Sequence, residues 1–272
     1  LHHPYGTPII GWRHEIEGLT AEDAIAFYRK HYAPDNAILI VAGDTTPEEV
    51  RTLAVKHYGP IPPAGTPERV RVQEPEPLTE RRLVQSDPRV RQPYVVRSYI
   101  APRRVPGEPG QAAALTMLAE LLGGGITSHL VQTLQFEDKL AIGAGSFYDS
   151  ISYDPKQFGV YVIPAQGVSL EDAEAAMDEA LAEFIAEGPD PEHLERVKTQ
   201  VRAAQVYALD RQDSRARLYG RALTAGLTVE DVQAWPEALQ AVTPEEVVDA
   251  AKLVFEQGRG VTAYLTGTDE GL

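Results

Sequence analysis

The chain has 272 residues, 43% of them hydrophobic, enough for one large domain or two smaller ones with real cores. Its net charge of −15 speaks against nucleic acid or an anionic membrane surface as partner and allows basic peptides; no apolar run reaches the roughly eighteen residues of a membrane span. The lack of cysteine removes disulfides, thiol catalysis and cysteine-held metals and leaves the compartment open, periplasm or cytoplasm alike.

In chain order, "PIIGW" is followed by Thr20, which can cap a helix with Asp23 three residues on. Ala24, Ile25, Phe27, Tyr28 and Tyr32 then fall on one helical face. Ala33-Pro34-Asp35-Asn36 is a stop and a turn, and "AILIVAG" reads as a buried strand ending at Gly43. Thr46-Pro47-Glu48-Glu49 is a capping box that opens a helix to about His57, which Gly59-Pro60 ends. Six prolines stand between residues 60 and 77. Proline lacks the amide donor and fixes φ, so residues 61–77 read as an extended linker.

Past the linker, "RRLVQSDPRVRQPYVVRSYIAP" holds one or two strands broken at Asp87-Pro88. Helices are expected around 108–122 and 127–136. "LAIGAGSFYDS" and "QFGVYVIPA" look like an antiparallel pair. Ser169 with Glu171-Asp172, and Asp190-Pro191-Glu192, start helices over 169–187 and 190–209. Helices over 212–225 and 229–239 follow. Thr243-Pro244-Glu245-Glu246 then caps a helix whose face is Val247, Val248, Ala250, Ala251 and Phe255, "GRG" turns, and "VTAYLTG" is a strand.

This last unit repeats the first. Cap and helical face are shifted by 223 residues, the strand by 224. The repeat implies two related α+β domains, each a sheet with helices on one face. Residues 78–272 would be a complete domain and residues 1–60 the carboxy-terminal remnant of another. By the offset, about 145 residues would precede Leu1 in the intact chain.

Candidate chemistry is sparse. The histidines are His2, His3, His14, His31, His57, His129 and His193. Zinc peptidases place two histidines and a glutamate on one helix, as H-E-x-x-H or H-x-x-E-H, and neither pattern occurs. His2 and His3 are adjacent, either a metal pair or a terminal loop. Gly123 to Gly125 lack the lysine and the preceding strand of a phosphate loop, and end one helix before Thr127-Ser128 starts the next. Ser128 and His129 are neighbours whose side chains diverge, so they make no nucleophile–base pair. Tyr148 and Asp149 end a strand, facing either a cleft or a turn. No catalytic, metal or substrate-binding residue is assigned in these residues.

The residues also carry a resemblance. "HPYGTPIIGWRHEIEGLTAEDAIAFYRKHYAPDNAILIVAGD" resembles the stretch that follows the metal site in the pitrilysin–insulinase family of zinc metallopeptidases, which includes mitochondrial processing peptidase. "LAELLGGGITSHLVQTLQFEDKLAIGAGSFYDS" and "EHLERVKTQVRAAQVYALD" resemble its bacterial members. The resemblance implies two similar domains joined by a linker, and paired units that close around a peptide. It implies zinc on an H-x-x-E-H helix upstream of Leu1, with that glutamate as general base. Peptide substrate and a second family subunit, or a homo-oligomer, are the partners it implies. Some relatives carry a substrate-contacting arginine and tyrosine where this chain has Gln135 and Ile142, so clamping of substrate by this domain is not implied. The fragment itself is expected to be inactive. The alternative is a non-catalytic chamber-forming or assembly subunit of the same family.

Overall fold

A computed structural model describes residues 3–66, 70, 72, 75, 77–255 and 259–267. His2, seven positions of the proline-rich stretch and Gly258 of "GRG" lie outside the described residues. The chain divides into two compact units, Leu1–Glu76 and Pro77–Leu272.

The first unit holds helices α1 (Arg13–Gly18), α2 (Ala21–His31) and α3 (Pro47–Tyr58). Reciprocal caps open α2 and α3. Thr20 Oγ1 accepts from the Asp23 N–H at 3.2 Å while the Asp23 carboxylate takes the Thr20 N–H at 3.0 Å, and Thr46 and Glu49 do the same. α1 has no capping side chain, so the sequence gives no sign of its start. Asp35 accepts from the N–H groups of Ala64 and Gly65, each at 3.1 Å, which ties the chain after α3 back to the turn after α2.

The strand expected over residues 37–43 does not form. Ala37 is extended (φ −132°, ψ 148°), yet residues 37–42 join no ladder. Extended backbone becomes a strand only by hydrogen bonding to a neighbour, and the described residues of this unit contain no other strand. The sheet expected for this unit is therefore not made by them. The apolar face of α2 stays open: Phe27 and Tyr28 are each 60% exposed. Their rings lie against His31 (4.5 Å) and Tyr32 (5.0 Å) of the same face.

The second unit is built on five strands: β1 (Arg81–Ser86), β2 (Tyr94–Ala101), β3 (Ala141–Tyr148), β4 (Lys156–Pro164) and β5 (Val261–Thr266). Their order is β1-β5-β2-β4-β3. β3 and β4 form the expected antiparallel hairpin, with Ala144 opposite Val162. β2 lies antiparallel to both β4 and β5. β1 runs parallel to β5, with Val84 opposite Tyr264. The sheet is therefore mixed, as befits an α+β fold in which the parallel partners are far apart in sequence.

The helices are α4 (Gly110–Gly123), α5 (His129–Val131), α6 (Leu170–Glu187), α7 (Pro191–Leu209), α8 (Gln212–Thr224), α9 (Val229–Ala241) and α10 (Pro244–Phe255). In place of one helix over 127–136 the structure has the single turn of α5 and a wider π turn, Gln132–Glu137. Val95, Arg97, Tyr99 and Ala101 of β2 are buried while Tyr94, Val96 and Ser98 between them are half-buried, so one face of the sheet is covered. α4, α6 and α10 cover it. Leu115, Leu118 and Leu122 of α4 join Phe158 and Val160 of β4 and Met177 of α6 in one core. Each such side chain contributes about 1.5–3 kcal/mol of burial. Val247, Ala250, Ala251 and Val254 bury the inner face of α10. The two helices of the repeat thus share cap and pattern but not surroundings.

Candidate functional site

The densest polar feature lies between α6 and the sheet. Residues of one strand face point at the helix: Arg97 of β2, Thr262 and Tyr264 of β5, Arg82 of β1. Helical spacing places Glu174 and Asp178 on one side of α6 to meet them. Arg97 donates through Nε to Thr262 Oγ1 at 2.9 Å and through its terminal nitrogens to Glu174 and Asp178. Arg82 makes a two-pronged contact with Glu174, at 2.8 and 2.5 Å. The Tyr264 hydroxyl donates to the same carboxylate. Glu174 is 4% exposed and Arg97 8%.

A buried carboxylate persists in its charged form only if its lone pairs are filled. Burial would raise the Glu174 carboxyl, but donation from Arg82, Tyr264 and Arg97 outweighs it and holds the group below the usual range. Burial, and then the bond to Glu174, pushes the Tyr264 phenol up to about 12. The partners engage one another across the interface, so the cluster holds α6 on the sheet. The sequence carried one unread signal of it: an arginine at a buried position of "YVVRSYIA", which needs an acid across the interface.

The histidines stand apart. His129 Nε2 lies 2.8 Å from the Ala180 carbonyl, and its ring lies 5.4 Å from Phe184. His193 sits in the first turn of α7, where burial and then Arg196 hold its imidazole below the ordinary value. His31 packs on Phe27, and His3 caps a short turn by accepting from the Tyr5 N–H at 3.1 Å. Among the described residues, no three histidine, aspartate or glutamate side chains come together as a metal site. The donor set does not fit a zinc ion.

The remaining sequence candidates have structural positions. A Cβ on Gly123 would stand 1.9 Å from the Ser146 N, so the glycine lets α4 end against the backbone of β3. Ser128 Oγ donates to the Gly125 carbonyl at 2.5 Å and His129 points to α6, so the two do not pair. Tyr148 donates to the Pro102 carbonyl at 2.5 Å. Asp149 accepts from Arg221 at 2.9 Å and from Lys156 at 3.1 Å, which ties α8 to the β3–β4 hairpin. Gln135 lies half-buried in the π turn. Ile142 is 60% exposed on β3, at the rim of a cleft of about 760 Å³ between Pro93, Pro164, Val168 and Thr266.

The mixed sheet with its one-sided helical layer, pinned by a polar cluster, defines an α+β domain. The sequence profile described as "Peptidase M16 inactive domain" matches residues 18–201, and the chain belongs to that family. It is 28% identical over 283 aligned residues to a probable mitochondrial-processing peptidase subunit beta of Schizosaccharomyces pombe, covering 99% of this chain and 60% of that protein. It is 24% identical to the zinc protease PqqE of Helicobacter pylori, covering 97% of this chain and 59% of that one. In fold it matches the crystal structure of a protease from Helicobacter pylori (TM-score 0.83, 22% identity, 94% of this chain and 61% of that chain). It also matches a peptidase M16 inactive domain from Pseudomonas fluorescens (TM-score 0.81, 19% identity, 98% and 62%). The 272 residues span about three-fifths of the length of these relatives.

Proposed function

We propose that these residues are the supporting part of a zinc metallopeptidase chain that cleaves peptides in a chamber formed by paired domains. The observation that carries the reading is the family match over residues 18–201, which includes most of the second unit. On this reading residues 1–60 belong to the zinc-domain-like first domain, residues 61–77 link it to the second, and the zinc ligands lie outside the 272 residues. The second unit supplies a wall, not a reacting group. Gln135 and Ile142 offer neither a guanidinium nor a phenol, so a second, different family subunit would supply the substrate clamp.

One other reading is favoured by the same two residues. A chain that lacks the clamp and whose upstream domain also lacks the ligands would be a non-catalytic chamber-forming subunit. Sequencing the gene upstream of the codon for Leu1 separates the two: an H-x-x-E-H helix followed by a further glutamate is expected, and an upstream domain without them overturns the peptidase reading. The 272-residue chain itself, washed with chelator and dialysed against zinc, is expected to retain no stoichiometric metal.

A further inference from the structure

One part of the helical layer of the second unit leaves apolar side chains exposed. The buried residues of α7, Leu194, Val197 and Lys198, all lie in its first half. From Arg202 to Leu209 every residue is exposed except the half-buried Gln205. α8 buries only Ala222. The end of α7, Asp210, Arg211 and the first turns of α8 therefore form an elbow that stands clear of the core.

Single exposed apolar residues are ordinary on a solvated surface, whereas a stripe of them beside unpaired charge is not. The elbow exposes Val206 (56%), Tyr207 (73%) and Leu209 (39%). Arg202, Val206 and Leu209 recur at i, i+4 and i+7, so the charge and the apolar residues share one stripe. Between residues 202 and 221 stand five arginines and two aspartates, in a chain of net charge −15. Arg221 is held by Asp149. Asp213 is shared between Arg211 at 3.2 Å and Arg217 at 4.0 Å. Arg202 and Arg215 have no carboxylate partner among the described residues. The elbow is a positive, partly apolar island on an acidic protein, and screening lets it act locally, because fields from charges beyond about 8–10 Å are damped at physiological salt.

We infer that this elbow docks an acidic segment of another polypeptide, one that carries an aliphatic or aromatic side chain between its carboxylates. The unpaired guanidinium groups of Arg202 and Arg215 select carboxylates, which match their planar fork. Val206 and Leu209, on the stripe of Arg202, select an apolar anchor and supply the desolvated centre that charge alone lacks. The inference stands apart from the peptidase reading.

The test is fluorescence anisotropy with the full chain and a labelled peptide of about a dozen residues, enough to follow the two exposed turns, in which Glu and Asp alternate with Leu and Phe. A dissociation constant of about 100 μM or tighter at low salt, weakened several-fold by added salt, is expected. The variant Arg202→Glu/Arg215→Glu is expected to lose about tenfold or more in affinity, and Val206→Ser about threefold, with unchanged thermal unfolding. Arg202→Gln/Arg215→Gln replaces the first variant if that one unfolds. Equal binding of the Gln/Asn version of the peptide, or full affinity in the arginine variant, overturns the inference. So does equal or tighter binding of a single-stranded oligonucleotide of the same charge. A dimer of the chain alone that the arginine variant dissolves also overturns it, in favour of a second copy as occupant.

Discussion

Replacing Glu174 by alanine removes the carboxylate to which Arg82, Arg97 and Tyr264 all donate. Removing one member of a buried ion cluster costs about 3–5 kcal/mol, because the charges left behind stay desolvated without their partner. Here Arg97 keeps Asp178 and Thr262, and Arg82 is half exposed, so the low end applies, about 3 kcal/mol. For a unit of this size that lowers the melting temperature by about 6–12 °C. Far-UV circular dichroism of the full chain reads it, with Glu179→Ala on the exposed side of the same helix as control, expected within about 0.5 kcal/mol of the parent. A Glu174→Ala variant within about 1 kcal/mol of the parent would refute the argument that this carboxylate is held by burial plus donation. The pair Arg97→Met/Glu174→Leu, which removes both charges and keeps the volume, is expected to cost less than Glu174→Ala alone.

The same carboxylate fixes a pH dependence. Its folded pKa lies below its ordinary 4.5, so its contribution is complete above that value and is lost as pH falls through the lower, folded pKa; acid melts of the parent are expected to lose this contribution below pH 4.5, while the double variant lacks that part of the slope. Gly123→Ala forces a Cβ onto the β3 backbone and is expected to cost more than about 2 kcal/mol, whereas Gly125→Ala, with open space around it, is expected to be neutral, both read by thermal melts. Amide hydrogen exchange is expected to be fast over residues 37–42 and slow over 261–266, and equal protection of the two would contradict the absence of a ladder in the first.

Most helices were legible because their starts are chemical. Ser169, Asp190, Thr228 and Thr243 each offer a side-chain oxygen to orphan N–H groups two or three residues on, and the structure forms these bonds. The β3–β4 hairpin was legible because its strands are neighbours in sequence. Other features depend on partners far along the chain. Residues 37–42 have the composition of a strand, but a ladder belongs to two segments and composition to one. The parallel pairing of Arg81 with Val261 leaves no mark on either segment. The cluster around Glu174 joins three strands and a helix, so its arginine could be seen in "YVVRSYIA" while its acid could not be chosen among the many carboxylates of α6. Motif spacing marks ligands that share a helix and says nothing of polar groups gathered by the tertiary fold.

The sheet order has a consequence for the order of synthesis. β5 lies between β1 and β2, yet it is the last of the five strands to leave the ribosome. Until then β1 has no neighbour and β2 shows a bare edge. Pairings of such sequence separation close slowly and leave strand edges exposed meanwhile. A chain cut short by its last dozen residues would therefore lose the middle of its sheet, not a dispensable tail. In cells, this unit is expected to be most exposed to aggregation and to proteases in the interval before β5 emerges.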